Sequence, residues 1–194
     1  MRYAPIYHAI RPVYGSIWRA LRWLELVRLK IRYRYDYDVS VFRPGTGLHY
    51  KWLFESKSSG QLFLVKTTSG LIEWWQRVVK GWKVETSFPI DYDDLSFSRI
   101  CADLRRLASV PTLKSRTLLH SIERQEIWYR YIPDARRDAL EADAFDRSVC
   151  AFRALLESHG FVYKDYSIGN FVVCNSEVFL IDLESMVYVG GSQC

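Results

Sequence analysis

"HGFVYKDYSIGNFVVCNSEVFLIDLES", residues 159–185, sets two short apolar runs among three oxygen-bearing side chains. Asp165 and Asn170 precede the first run, "FVVC" (171–174), and Asp182 follows the second, "VFLI" (178–181). Asn175–Ser176 between the runs is turn chemistry, so the spacing predicts a hairpin with strands at Asn170–Cys174 and Glu177–Ile181. The loop feeding it runs from Tyr163 to Gly169. Packing accounts for the apolar residues. It leaves unexplained why Asp, Asn and Asp, all able to hold a hard cation through oxygen, gather at the strand ends.

Upstream, "DALEADAFDRSVCAFRALLESHG" (138–160) carries a helical period. Leu140, Phe145, Val149, Phe152, Leu155 and Leu156 form its apolar stripe, and Gly160 closes it in the position that favours glycine. Before that, "SRTLLHSIERQEIWYRYIPD" (115–134) reads as one or two strands ending at Pro133. "GLIEWWQRVVKGWKVE" (70–85) and "LSFSRICADLRRLAS" (95–109) have helical spacing, with "FPIDYDD" (88–94) as the break between them.

Further upstream the period is two. "YDYDVSVF" (35–42), "LHYKWLFES" (48–56) and "QLFLVKTT" (61–68) alternate, separated by the turns "RPGTG" (43–47) and "KSSG" (57–60). Three antiparallel strands in a meander follow. On the third, Leu62, Leu64 and Lys66 share one face while Phe63, Val65 and Thr67 share the other. Lys66 thus ends an apolar row, either reaching out to solvent or held in a cleft to meet negative charge.

The chain of 194 residues is 49% hydrophobic and 15% aromatic, enough for a packed core and against global disorder. Cys101, Cys150, Cys174 and Cys194 are widely spaced without a C-x-x-C pair, which suggests neither zinc nor a disulfide framework and fits a reducing cytoplasm. No run has the length and apolarity of a membrane span, and the N-terminus lacks the pattern of a secretory signal.

Charge is uneven. Residues 1–34 hold eight Lys or Arg against Glu25, a balance of +7 within a total of +5, so the other 160 residues sum to −2. In that arm "GSIWRALRWLELVRLKIRY" (15–33) is helical, with Ser16 as N-cap and Ile17, Ala20, Leu24, Val27 and Ile31 in one stripe. Arg19, Arg22, Lys30 and Arg32 lie opposite, with Trp18, Leu26 and Leu29. A basic helix of this kind suits an anionic membrane surface or packing on its own domain. Nucleic acid is disfavoured, because the excess is confined to the arm and no recognition motif accompanies it.

Three strands, a helical section, one or two strands, a long helix and a hairpin with acidic ends make an α+β, two-lobed, kinase-like layout. The expected organisation is a basic amphipathic extension (1–34) and a kinase-like domain (35–194). Within it an antiparallel-sheet N-lobe spans about 35–127, a hinge about 128–134, and a truncated, mainly helical C-lobe 135–194. Protein kinases carry a D-x-x-x-x-N loop, a later magnesium-binding Asp, and a Lys on the third strand. "DYSIGN" (165–170), "LIDLE" (180–184) and "FLVK" (63–66) match that spacing.

The sequence resembles the bacterial lipopolysaccharide core heptose(II) kinase family in "SGQLFLVK", "VVKGWKVE", "IWYRYIPD", "HGFVYKDYSIGNFVV" and "EVFLIDLES", over roughly 35–185. That resemblance implies Asp165 as catalytic base, Asn170 and Asp182 as magnesium ligands, and Lys66 on the ATP phosphates. It also implies adenine packing against the hinge near Tyr129 and Tyr131, and Glu85, ahead of Glu73, as the partner of Lys66. The acceptor it implies is a heptose hydroxyl of the lipopolysaccharide inner core, phosphorylated with ATP and magnesium on the cytoplasmic face of the inner membrane. Two departures stand beside it: Tyr163 takes the place of the kinase His, and twelve residues follow Asp182 where further helices are expected. The alternative is a catalytically inactive pseudokinase or nucleotide-binding module at the membrane surface.

Overall fold

Alternation along the strands, together with the long N-terminal helix, organises the first half of the molecule. The computed structural model describes residues 4–42, 50–67, 97–124, 126–133, 141–164, 168–174 and 177–190. Helix α1 spans Ala4–Arg32, followed by strands β1 (Tyr37–Val41), β2 (Tyr50–Ser56) and β3 (Leu62–Thr67). Next come helices α2 (Phe97–Ala108) and α3 (Pro111–Lys114), then strands β4 (Leu119–Glu123) and β5 (Glu126–Arg130). Helix α4 (Ala142–Ser158) leads to β6 (Phe161–Tyr163), a 3-10 turn at Ile168–Asn170, β7 (Phe171–Cys174), β8 (Glu177–Leu180) and β9 (Met186–Tyr188). The expected helix at 70–85 lies outside the described residues.

Five strands form one antiparallel sheet in the order β1-β2-β3-β5-β4, in which Lys66 of β3 is opposite Ile127 of β5. The outer face carries Trp52, Phe54, Phe63, Val65 and Trp128, all buried together with Leu29 of α1. Tyr33 and Tyr37 complete an aromatic cluster there, in which Phe54 and Trp128 have ring centroids 4.7 Å apart. On the inner face Leu119, Ile127 and Tyr129 join one contiguous core with Ile100 and Leu104 of α2, Phe152 and Leu156 of α4, and Phe171 and Leu180 of the hairpin.

A buried acid fastens α1 to the sheet. Glu126 is 2% exposed on the outer side of β5. It accepts from Arg32 at 2.7 Å, from Arg28 at 3.3 Å and from the Tyr33 hydroxyl, and Arg28 also pairs with Glu25 at 2.7 Å. A carboxylate so far from water requires such donors.

The helix therefore packs by a different face from the one its stripe suggests. Glu25 and Leu29 are buried and Leu21 half-buried, whereas Trp23 is 63%, Leu24 56% and Ile31 63% exposed. The outward stripe is the apolar one because Glu126 draws Arg28 and Arg32 toward the sheet. Ser16 is not a cap either, since the helix already runs from Ala4.

In the second half, α4 follows the expected stripe: Phe145, Phe152 and Leu156 are buried and Gly160 has φ +75°. The structure adds two three-residue strands that periodicity cannot register. β6 and β9 pair antiparallel, Phe161 opposite Tyr188 and Tyr163 opposite Met186. Tyr163 thus ends a strand rather than beginning a loop, and Asn170 belongs to the turn before β7. The hairpin is stitched to the segment before β4 by a bridge between Thr117 and Leu180 and by the Leu180 N–H donated to Arg116 O at 3.2 Å.

Candidate functional site

Period two on β3 sends Lys66 to the inner face, where it is 2% exposed. Its Nζ lies 3.0 Å from Oδ1 of Asp182, which keeps 35% of its side chain exposed. The ammonium also stands 5.2 Å from the centroid of the Tyr129 ring, on the neighbouring strand. A buried ammonium is tolerated only with compensation, and here a carboxylate and the negative face of an aromatic ring supply it. The pair is half wet: its lysine end is sealed under the sheet and its carboxylate end opens toward solvent.

The hairpin aims Asp182. Phe171 pairs with Leu180, and Ile181 N–H continues the ladder by donating to Asn170 O at 2.8 Å. Asn170 and Asp182 therefore flank the open end of the hairpin, Asn170 closing the turn before β7 and Asp182 opening the turn after β8. Beneath them Tyr163, 2% exposed, donates its hydroxyl to the backbone carbonyl of Asp182 at 2.7 Å. Lys164 N–H reaches Ser185 O at 3.0 Å, so the chain just before Asp165 is tied to the turn that follows Asp182.

A lysine from β3 of a β1-β2-β3-β5-β4 sheet meets an Asp that leaves a hairpin downstream of a long helix, as in protein kinases. The fold is kinase-like.

Among solved structures, the chain is similar to the Rio2 kinase–ADP/Mg2+–phosphoaspartate complex from Chaetomium thermophilum, at 14% identity and a TM-score of 0.49. The match covers 86% of this chain and 53% of that one, so this chain spans about half its length. No protein-family model matches the sequence, and no curated protein does.

The remaining expected site residues divide three ways. Asp165 and Glu85 lie outside the described residues, as does Glu73. Tyr129 is buried in β5 within the inner core, with its ring beside the Lys66 ammonium. Tyr131 lies just past β5, its ring 5.3 Å from Phe42 and its N–H donated to Leu62 O at 3.0 Å, while Arg130 N–H goes to Leu118 O at 2.8 Å. With those two donors engaged, a base resting here would be read by other backbone groups.

Two acids escaped sequence reasoning. Besides Glu126, Asp103 of α2 is 5% exposed and accepts the Tyr188 N–H at 3.2 Å, with Arg99 at 3.9 Å and Arg106 at 3.8 Å. It locks α2 to β9 and so braces the strand behind Asp182. The available signal was an acid inside an apolar stripe, Ile100-Cys101-Asp103-Leu104-Leu107.

Asn170 and Asp182 fit magnesium by donor chemistry, one amide oxygen and one carboxylate with an exposed edge, leaving room for water and phosphate oxygens. They would hold the ion at the hairpin mouth.

Proposed function

We propose that the chain is an ATP-dependent phosphotransferase that phosphorylates a sugar hydroxyl. The observation that carries it is the contact of Lys66 with Asp182, because a buried cation joined to a half-exposed carboxylate is what a triphosphate and its metal need. Lys66 would release part of its hold on Asp182 to meet phosphate oxygens, and Asp182 would turn its oxygens to the metal with Asn170. Magnesium held by Asn170 and Asp182 would supply positive charge to offset that of the phosphates. Asp165, five positions before Asn170 in the D-x-x-x-x-N spacing, would accept the acceptor's hydroxyl proton. Tyr129, beside the ammonium, keeps water from it.

The finer reading is a heptose of the lipopolysaccharide inner core, and it rests on the resemblance of "HGFVYKDYSIGNFVV" and "EVFLIDLES" to the heptose(II) kinases. The outward stripe of α1 supports a membrane setting. Ala20, Trp23, Leu24, Val27 and Ile31 recur at helical spacing on the solvent side, with Trp23, Leu24 and Ile31 well exposed. Arg19, Lys30 and Arg34 are exposed nearby and make no ion pair among the described residues, unlike Arg28 and Arg32. Apolar residues with exposed cations beside them, outside any ion pair among the described residues, suit the cytoplasmic surface of an anionic bilayer, and a second copy would meet like charge. Since the stripe and the cleft lie on opposite sides of the sheet, a sugar standing off the lipid suits the site better than a lipid headgroup.

The test is magnesium-dependent ATP turnover with dephosphorylated core lipopolysaccharide, comparing the wild type with Asp165→Ala. Loss of the base should lower the rate about 10²- to 10⁴-fold. Nucleotide binding without turnover in either protein would replace the enzyme by a nucleotide-binding module. Flotation with phosphatidylglycerol vesicles, weakened by joint Trp23→Ser and Ile31→Ser, tests the membrane setting separately.

A further inference from the structure

Lys66 has a second cation beside it. In the β2–β3 register Lys51 is directly opposite Lys66, and residues opposite one another in an antiparallel pair project from the same face. That face is the inner one: on β2, Trp52 and Phe54 are buried on the outer side under α1, which leaves Lys51 and Leu53 on the cleft side. Lys51 is half-buried, and among the described residues it forms no ion pair, whereas Lys66 is joined to Asp182.

Like charges directly across a strand pair repel, and a site under the sheet screens them less than open water does. A fold with no use for the pair would gain from replacing one of them. A polyanion turns the same arrangement from cost to benefit. Lys66, sealed and fixed by Asp182, suits the inner phosphates; Lys51, one strand nearer the sheet edge and half open to water, suits the outer part of the chain.

We propose that Lys51 is a second phosphate-binding cation that, with Lys66, selects a nucleoside triphosphate over the diphosphate and the free nucleoside. The assignment rests on the phosphotransferase reading, since it takes the same cleft as the nucleotide site. A point charge on a flexible stem needs no tight backbone cradle, so it can follow the terminal phosphate as it departs.

The experiment is calorimetric titration of the full chain with ATP, ADP and adenosine, each with magnesium, for wild type, Lys51→Met and Lys51→Arg. Lys51→Met is expected to weaken ATP about tenfold, ADP less and adenosine not at all, and Lys51→Arg to restore most of the loss. Without nucleotide, Lys51→Met should melt no lower than wild type, because it removes a repulsion, while its ATP-induced rise in Tm shrinks. Wild-type preference for ATP over adenosine that survives unchanged in Lys51→Met overturns the proposal and leaves the phosphotransferase standing. A wild type that binds none of the three ligands overturns both.

Discussion

Lys66 Nζ and Asp182 Oδ1, 116 positions apart in sequence, lie 3.0 Å from each other beneath the sheet. Replacing Lys66 with Met keeps the stem and removes the charge, and Asp182 can hydrate through its exposed side. The variant should fold, keep its melting temperature within a few degrees, and lose about 10²- to 10³-fold in turnover. Thermal melts and a phosphate-release assay on the same preparation check both halves. Retained turnover would remove Lys66 from the reaction.

Tyr163 holds the same aspartate from behind, through its carbonyl. In Tyr163→Phe the ring still fills its place, and the Asp182 carbonyl loses a donor at a cost of about 1 kcal/mol. A looser Asp182 should raise the magnesium concentration needed for half-maximal turnover more than it lowers turnover at saturating magnesium. A magnesium titration separates these; an unchanged midpoint would make Tyr163 a packing residue only.

A lysine at the end of an apolar strand row and an Asp after a hairpin were legible in the sequence as local patterns. Their direct contact at 3.0 Å was not, since the resemblance gave Glu85 as the partner of Lys66. Which face of α1 packs was not legible either. The stripe Ala20, Leu24, Val27, Ile31 satisfies every rule for a buried helix face, and it is outvoted by one carboxylate. Glu126 sits in "RQEIWYR" with no local mark of burial; only the sheet puts it within reach of Arg28, Arg32 and Tyr33. Tyr163 looks like a lost catalytic-loop histidine in sequence and is a backbone brace in three dimensions. Strands as short as β6 and β9 carry too few residues for a period, and their pairing comes from chain ends brought together by the core.

Tyr33 gives the Glu126 cluster a pH signature. Burial, and then its hydrogen bond to Glu126, push the phenol well above its ordinary value of 10.0. The folded chain therefore keeps a proton that the unfolded chain releases, so stability is full below about pH 10 and falls as pH rises beyond it. Tyr33→Phe should flatten that alkaline decline while lowering stability near neutrality. Denaturant midpoints at pH 8 and pH 10.5 for both proteins are the check, and parallel declines would count against it.

Leu29 is fully buried among Trp52, Phe54, Val65 and Trp128, so α1 belongs to the folded domain as well as to any surface it meets. Leu29→Ala should cost about 2–5 kcal/mol. Glu126→Ala should cost less, about 1–3 kcal/mol, because Arg28 and Arg32 can turn to water. A chain beginning after Arg34 should fail to give a sharp melt. Urea titrations of the two point variants rank the losses, and an intact, cooperatively melting truncation would mean that the sheet tolerates an uncovered outer face.

The inner core runs without a break from Tyr129 through α2 and α4 to Leu180, and the Thr117–Leu180 bridge sews the two halves at backbone level. Proteins whose halves meet across a watery seam can swing apart like a book. This one is bound at the spine by shared side chains, so a ligand beneath the sheet would have to enter at its rim, and wear at any one point of the binding is felt by every page.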